Sequence, residues 1–354
     1  MLPAPQARRD EPQSVGGLRS LLMRLMRGEN LRRTEAAGLL DALLDGTATD
    51  AQIAAALVAL AVKGETVEEL TGMAEAMRSR ARRINTRHTR FIDTAGTGSS
   101  HAKTFNVSTA AAFVIAGAGL AVAKHGSRAA TSRSGSADVL AALGVNVTAE
   151  PERSERCLDE IGICFMFAPL YHGATARVAG VRRELGVHTT FNLLGPLTNP
   201  AGAPRQIIGV WHAALVEPIA QALAALGTEH AWVVHGSDGL DEVTLAGETL
   251  VAEARAGGEI KSFRISPHDF GLERVTLDHL RGGDAQSNAQ TIRAVLTGAR
   301  RDSARDLIVA NSAAALFVGG AAVDLDNAAR LAEKSLDSGT ALTKLEQLVE
   351  ATNS

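Results

Sequence analysis

From Gly16 to about Arg83 the apolar positions recur every three or four residues, as in Leu18, Leu21, Leu22 and Leu25. That is the spacing of one face of an amphipathic helix. Thr34 to Leu44 continues the pattern and is expected to stop at Gly46, because glycine readily takes the left-handed conformation that ends helices. Thr49 with Gln52 is a capping-box signature ahead of IAAALVALAV, which runs to Gly64. Thr66 with Glu69 repeats the signature before the next helical stretch. Helices with apolar faces and no intervening strand predict a small helical bundle.

The pattern changes near Phe91. FIDTAG, TAAAFVIAGAG, LAVAKHG and DVLAALG read as strand, helix, strand, helix, and AWVVHG near Ala231 as a further strand. Such alternation predicts an α/β fold with a mostly parallel central sheet flanked by helices, beside the small all-helical domain. The segment from Ala168 to about Leu185 is again helical and basic, and is expected to return to the bundle. Asn327 to Thr352 reads as an amphipathic helical region. The predicted organisation is a disordered tail over 1–15, a helical domain over 16–87 joined by about 168–187, and an α/β domain over 88–167 and 188–352.

Composition narrows the function. With 354 residues, 45% of them hydrophobic, the chain can bury more than one ordinary core. A net charge of −3 and 3% aromatics give neither a basic footprint nor stacking platforms for nucleic acid. No apolar run approaches the ~20 residues needed to span a membrane, and the Pro- and charge-rich N-terminus has no signal-peptide core. Cys157 and Cys164 make neither a disulfide framework nor a zinc site, which predicts reduced thiols in a cytoplasmic protein.

Four segments carry candidate chemistry. In DTAGTGSSHAKTFNVST, residues 93–109, a strand ends in a glycine turn and a helix is expected to start at Ser108 or Thr109. Gly96 and Gly98 let the backbone approach a phosphate. Thr104, Asn106, Ser108 and Thr109 add small polar groups, and the helix N-terminus favours an anion. In KHGSRAATSRSGSAD, residues 124–138, an apolar strand gives way to a loop with no large apolar side chain. Lys124, Arg128 and Arg133 are cations, and Ser127, Thr131, Ser132, Ser134 and Ser136 are hydroxyl donors, a mixture suited to a pyrophosphate at the carboxyl end of a strand.

In HGSDGLDEVT, Asp241 and Glu242 are adjacent acids in a loop, and magnesium is commonly held by one or two carboxylates together with substrate phosphates. An acidic surface turn is the alternative. In RVAGVRRELGVHTTFNLLGPLTNP, residues 177–200, Arg182 offers a bidentate partner for a carboxylate, or else a surface ion pair. LLGPLTNP could wall an aromatic pocket. His172 reads either as a pocket residue or as a helix-surface histidine.

Together these segments resemble the anthranilate phosphoribosyltransferase family. GTG with TFNVST, KHG-R with GSADVLAALGV, FAPLYH, VRRELG with FNLLGPLTNP, GLDE and GGDAQSNA carry the resemblance, from about Gly16 to Leu348. It implies a nucleoside phosphorylase/phosphoribosyltransferase-like fold and a homodimer formed through the helical domain. It implies phosphoribosyl pyrophosphate and anthranilate as substrates, Mg2+ as cofactor, and no nucleic-acid or membrane partner. By position, Gly96, Gly98, Ser99, Ser100, Thr104, Asn106, Val107, Ser108, Thr109, Lys124, His125, Gly126, Ser127, Arg128, Thr131, Ser132 and Ser136 would bind the donor. Gly96, His125, Ser127, His172 and Arg182 would line the anthranilate path. Ser108, Asp241 and Glu242 would hold the metal, and no residue is assigned as a general base.

The sequence departs from the family pattern at Ser99-Ser100, where Gly-Asp is usual, at His101, where glycine is usual, and at Ser127, where asparagine is usual. The alternatives kept open are the same donor with another aromatic amine, a nucleoside phosphorylase-like enzyme, and an inactive nucleic-acid-binding relative.

Overall fold

A computed structural model describes residues 17–98, 104–129, 134–276 and 280–354. The tail over 1–15, and Ser99, Ser100, His101, Thr131, Ser132 and Arg133 of the two candidate loops, lie outside the described residues.

The N-terminal stretch forms α1 (Leu18–Met26), α2 (Arg33–Leu44), α3 (Asp50–Lys63) and α4 (Val67–Arg80). Both predicted capping boxes form: Thr49 accepts from the Gln52 amide and Thr66 from that of Glu69. Each satisfies an N–H that the first helical turn leaves without an intrahelical partner.

The next stretch contains β1 (Phe91–Gly96), α5 (Val107–Gly117), β2 (Ala121–Gly126), α6 (Ser136–Ala142), α7 (Pro151–Ile161) and β3 (Ile163–Phe167). Helix α5 starts at Val107, one residue ahead of the earlier of the two expected positions, with Asn106 at its cap. There follow α8 (Ala168–Tyr171), α9 (Ala176–Leu185), α10 (Thr190–Leu197), β4 (Arg205–Gly209), α11 (Val216–Ala225) and β5 (His230–Gly236). The chain continues through β6 (Thr249–Arg255), β7 (Lys261–Ile265), α12 (Ala285–Leu296) and α13 (Ser303–Val318). The predicted C-terminal helical region is two helices, α14 (Leu325–Asp337) and α15 (Thr340–Asn353), parted where Gly339 takes φ +76°.

The sheet runs β3-β2-β1-β4-β5-β6-β7, parallel from β3 to β5 and antiparallel over the last two pairings. The chain moves outward from β1 on one side to β2 and on the other to β4, so the strand order reverses between the adjacent β1 and β4. In open α/β sheets that reversal opens a crevice at the carboxyl ends, where ligands bind.

Two apolar cores form. One packs α5, α12, α13, α14 and α15 against the sheet. The other joins α1–α4, α9, α10 and α11 to Ile208, Val233 and Ala252 on β4, β5 and β6. Helix α9 packs on α2 and α3.

Candidate active site

Alternation along β2 assigns its two functional side chains to different surroundings. Lys124 crosses toward α5, and its Nζ donates to the Thr94 carbonyl at 2.5 Å and lies 3.4 Å from Ser108 Oγ. The next residue, His125, turns to the other face, where its ring sits 5.1 Å from that of His172. Beneath them is Asp93 on β1, fully buried. Its Oδ1 accepts the His125 amide at 3.2 Å, and its Oδ2 accepts from Asn199 Nδ2 at 2.7 Å. Asn199, in the LTNP loop, also donates to the Ala123 carbonyl at 2.9 Å and so binds that loop to both strands.

Burial in this low-dielectric edge sets the protonation states. Desolvation pushes the Asp93 carboxyl up to about 6, against the opposing pull of the Lys124 charge. Desolvation also lowers Lys124, while Asp93 and Glu242 act to keep it charged. Burial pulls His125 down to about 3 and His172 to about 4, so both imidazoles are neutral near pH 7. His125 Nε2 and both nitrogens of His172 are buried without a hydrogen-bond partner among the described residues. His172 is 3% exposed, so it does not lie on a helix surface.

The first glycine turn closes over this edge. Gly98 takes φ +67°, where a side chain would be strained. The Thr97 amide donates to the Gly209 carbonyl at 2.8 Å and fastens the turn to β4. At the start of α5, the Ser108 amide donates to Glu242 Oε1 at 3.1 Å. Glu242 is partly accessible, yet desolvation first and the Asp241 charge second push its carboxyl up to about 8. Asp241 Oδ2 lies 3.5 Å from the position a side chain on Gly96 would take. The acidic pair, the first turn and Lys124 therefore meet at one place, although Gly96 and Glu242 stand far apart in the chain.

The other described residues predicted for the donor have these surroundings. Val107 is buried at the first position of α5, and the buried Thr109 hydroxyl has no partner among the described residues. Asn106 donates to the Ser134 carbonyl at 3.2 Å and accepts from Asn288 Nδ2 at 3.0 Å, so it joins the two candidate loops to the GGDAQSNA segment. Thr104 bridges to Arg281. Gly126 ends β2 with no room for a side chain, since Ser136 Oγ stands 2.2 Å from the position of a Cβ. The carbonyl of the exposed Ser127 accepts from Ser136 Oγ at 3.4 Å. Arg128 is engaged within its own loop, with Nη1 donating to Asp138 at 3.0 Å and its guanidinium over the Phe167 ring.

Arg182, on α9, is half-buried with its guanidinium 5.0 Å over the Phe191 ring, and burial lowers its pKa. Arg182 forms no ion pair with any of the described residues, so the surface-pair alternative does not hold.

Asp93, Asn199 and Asn288 were not singled out from the sequence. All three lie inside the candidate motifs, but nothing local tells a buried hub from a loop residue. His188 packs its ring 4.6 Å from that of Trp211.

Two models of a glycosyl transferase family match the chain: the helical bundle domain over 19–81 and the a/b domain over 88–342. Anthranilate phosphoribosyltransferase from Moorella thermoacetica is 51% identical over 332 residues, covering 94% of this chain and 97% of its own. The enzyme of that name from Anaeromyxobacter dehalogenans is 54% identical with the same coverage of both chains. The crystal structure of anthranilate phosphoribosyltransferase from Thermus thermophilus superposes with a TM-score of 0.88 at 40% identity, covering 94% of this chain and 99% of that one. The Saccharomyces cerevisiae enzyme in complex with PRPP and Mg superposes at 0.86 with 28% identity, covering 95% and 98%. With both family models matched and about half of the residues identical across nearly the whole length of these relatives, the chain belongs to the anthranilate phosphoribosyltransferase family.

Proposed function

We propose that this chain transfers the phosphoribosyl group of phosphoribosyl pyrophosphate to anthranilate and releases pyrophosphate, a step of tryptophan biosynthesis. The observation that carries the reading is the meeting of Lys124, Ser108 and Glu242 at the carboxyl edge beside the Gly96–Gly98 turn. In the reaction the aniline nitrogen forms a bond to C1 of the ribose as the bond from C1 to the diphosphate oxygen breaks, and the nitrogen then loses a proton. An aniline nitrogen is unprotonated near neutrality, so orientation and charge neutralisation carry the catalysis. Lys124 and the turn amides would face the diphosphate. Arg182 would take the anthranilate carboxylate, and the neutral imidazoles of His125 and His172 would line the acceptor path without competing for it as cations. Ser99, Ser100, Thr131 and Ser132 keep their proposed place at the donor.

Mg2+ is the proposed cofactor. Asp241, Glu242 and Ser108 offer only oxygen ligands, which suits a hard cation. A Glu242 carboxyl raised by burial and by its neighbour's charge would be returned to its ionised form by a divalent ion. Bound there, magnesium supplies positive charge to the departing diphosphate. Among the described residues no group of three or more His, Cys, Asp or Glu converges, so the set suits an ion that completes its shell with water and diphosphate oxygens.

We also propose a cytoplasmic homodimer joined through a helical unit of 16–87 and 168–187, with 88–167 and 188–352 as the α/β unit. No described helix is long and apolar enough to cross a membrane. Met23, Met26, Val58, Val62 and Val187 are exposed large apolar residues on α1, on α3 and just after α9, which supports a partner surface there.

The reading is tested by following anthranilate fluorescence with the purified chain, phosphoribosyl pyrophosphate and magnesium, beside a panel of other aromatic amines. Consumption that needs both donor and metal is expected. A clear preference for another amine would reassign the acceptor, and no consumption of any amine would refute the transfer.

A further inference from the structure

The two strands at the sheet's switch point end in glycines that pair in register, Gly96 opposite Gly209. A Cβ on Gly209 would lie 1.7 Å from the Asp241 carbonyl oxygen and 2.5 Å from its carbonyl carbon. Gly209 does not have a positive φ, so what the position requires is space and not an unusual conformation. A Cβ on Gly96 would reach ordinary contact, 3.5 Å, with Asp241 Oδ2. The paired glycines thus form a slot in which Asp241 lies, its backbone against β4 and its carboxylate toward β1.

The same loop is held from the other side. Asn311, on α13, is 3% exposed. Its Oδ1 accepts the Val243 amide at 2.9 Å, and its Nδ2 donates to the Val243 carbonyl at 2.9 Å. Nδ2 donates again to the Leu307 carbonyl one turn earlier on its own helix, also at 2.9 Å. A side-chain amide here supplies both the donor and the acceptor that a neighbouring strand would give to the residue directly after Glu242. Between the slot and this clamp, Glu242 reaches the Ser108 amide through Oε1 at 3.1 Å.

We propose that Gly209 and Asn311 are positioning residues that set the Asp241–Glu242 pair for the metal. The inference rests on the reading of those two acids as magnesium ligands. Neither residue would touch substrate. Each acts by holding the peptides on either side of the carboxylates, and a displacement of about 1 Å in such a group is enough to cost a site much of its function.

The test compares Gly209→Ala, Asn311→Leu, Ile208→Ala and the double variant Asp241→Ala/Glu242→Ala with the unaltered chain. Ile208 is fully buried next to Gly209, so its variant reports what damage to β4 alone does. Circular dichroism checks the fold. Mn2+ binding in the presence of phosphoribosyl pyrophosphate is followed by electron paramagnetic resonance, and the half-saturating magnesium and the anthranilate KM are measured in turnover. Gly209→Ala and Asn311→Leu are expected to weaken Mn2+ binding and raise the magnesium requirement by about tenfold or more, with the anthranilate KM within about twofold. Ile208→Ala is expected to lower the melting temperature and leave the metal constants alone.

Wild-type Mn2+ binding by either folded positioning variant overturns the proposal for that residue. Wild-type binding by the double carboxylate variant overturns the ligand reading itself, which is a separate result. Asn311→Asp, which keeps the acceptor for the Val243 amide, replaces Asn311→Leu if leucine prevents folding. Gly209→Ala and the Asn311 variants act from different elements, so a loss of folding in one leaves the other to decide.

Discussion

At the scale of single residues, the site works by burying groups that water would otherwise control. Lys124 is held against the Thr94 carbonyl and Ser108, where burial lowers its pKa and the nearby Asp93 and Glu242 act in the opposite direction. Arg182 has an aromatic floor and no ion pair among the described residues, which leaves its donors for a ligand. A charge-assisted bidentate contact contributes about 1.5–3 kcal/mol, so Arg182→Ala should raise the anthranilate KM about 10- to 100-fold and the donor KM much less. Steady-state kinetics varying each substrate in turn checks this; equal effects on both would remove Arg182 from the acceptor end.

The histidine pair gives a second prediction at this scale. The folded-state pKa values of His125 and His172 lie below that of an unfolded histidine, near 6.5, at about 3 and about 4. Between those values the unfolded chain binds protons that the folded one refuses, so these residues favour folding above pH 6.5 and cost stability as pH falls below it. Asp93, raised to about 6, acts in the opposite sense over part of that window, so the comparison must be with a variant. Replacing both histidines by glutamine should reduce the loss of stability between pH 6.5 and 5 by up to about 1.4 kcal/mol per histidine per pH unit. Urea denaturation at the two pH values measures it, and an unchanged pH dependence would mean that the histidines are not buried in neutral form.

At the scale of elements, the helical unit contains a buried ion pair whose carboxylate also belongs to the second capping box. Glu69 and Lys63 are almost wholly inaccessible, with Nζ 2.8 Å from Oε2. The same carboxylate accepts the Thr66 and Leu31 amides. Glu69→Ala would leave Lys63 buried and unpaired, which should cost about 3–5 kcal/mol, whereas Thr66→Ala should cost about 1 kcal/mol. Chemical denaturation gives both values; equal costs would mean that the pair contributes no more than a cap.

Elements with a local signal were legible in the sequence. The two capping boxes, the strand FIDTAG and the alternation that follows it all came from spacing alone. Strands β3, β4, β6 and β7 did not, because short strands such as ICFMF, RQIIG and KSFRI give too few positions for a period to emerge. The resemblance supplied the roles of the loops. Asp93, Asn199, Gly209 and Asn311 stayed hidden, since each matters only through contacts with residues distant in the chain.

At the scale of the whole molecule, two cores on opposite faces of one sheet leave its carboxyl edge open between them. Loops following β1, β2 and β5 meet there. The helical unit shares a core with β4, β5 and β6, while its outer surface keeps apolar residues exposed. If that surface joins two copies, Met26→Asp combined with Val62→Asp should turn a dimer into a monomer in analytical ultracentrifugation with the fold retained. A wild-type chain that sediments as a monomer would refute the assembly.

The central claim is that three stretches of chain, far apart in sequence, enclose a metal-bound diphosphate at the switch point. A crystal structure with phosphoribosyl pyrophosphate and Mn2+, with the ion located by its anomalous scattering, tests this most directly. A metal peak is expected within ligand distance of an Asp241 or Glu242 oxygen, with the diphosphate between the Gly96–Gly98 turn and Lys124. A fully occupied donor and metal bound elsewhere on the molecule would contradict it.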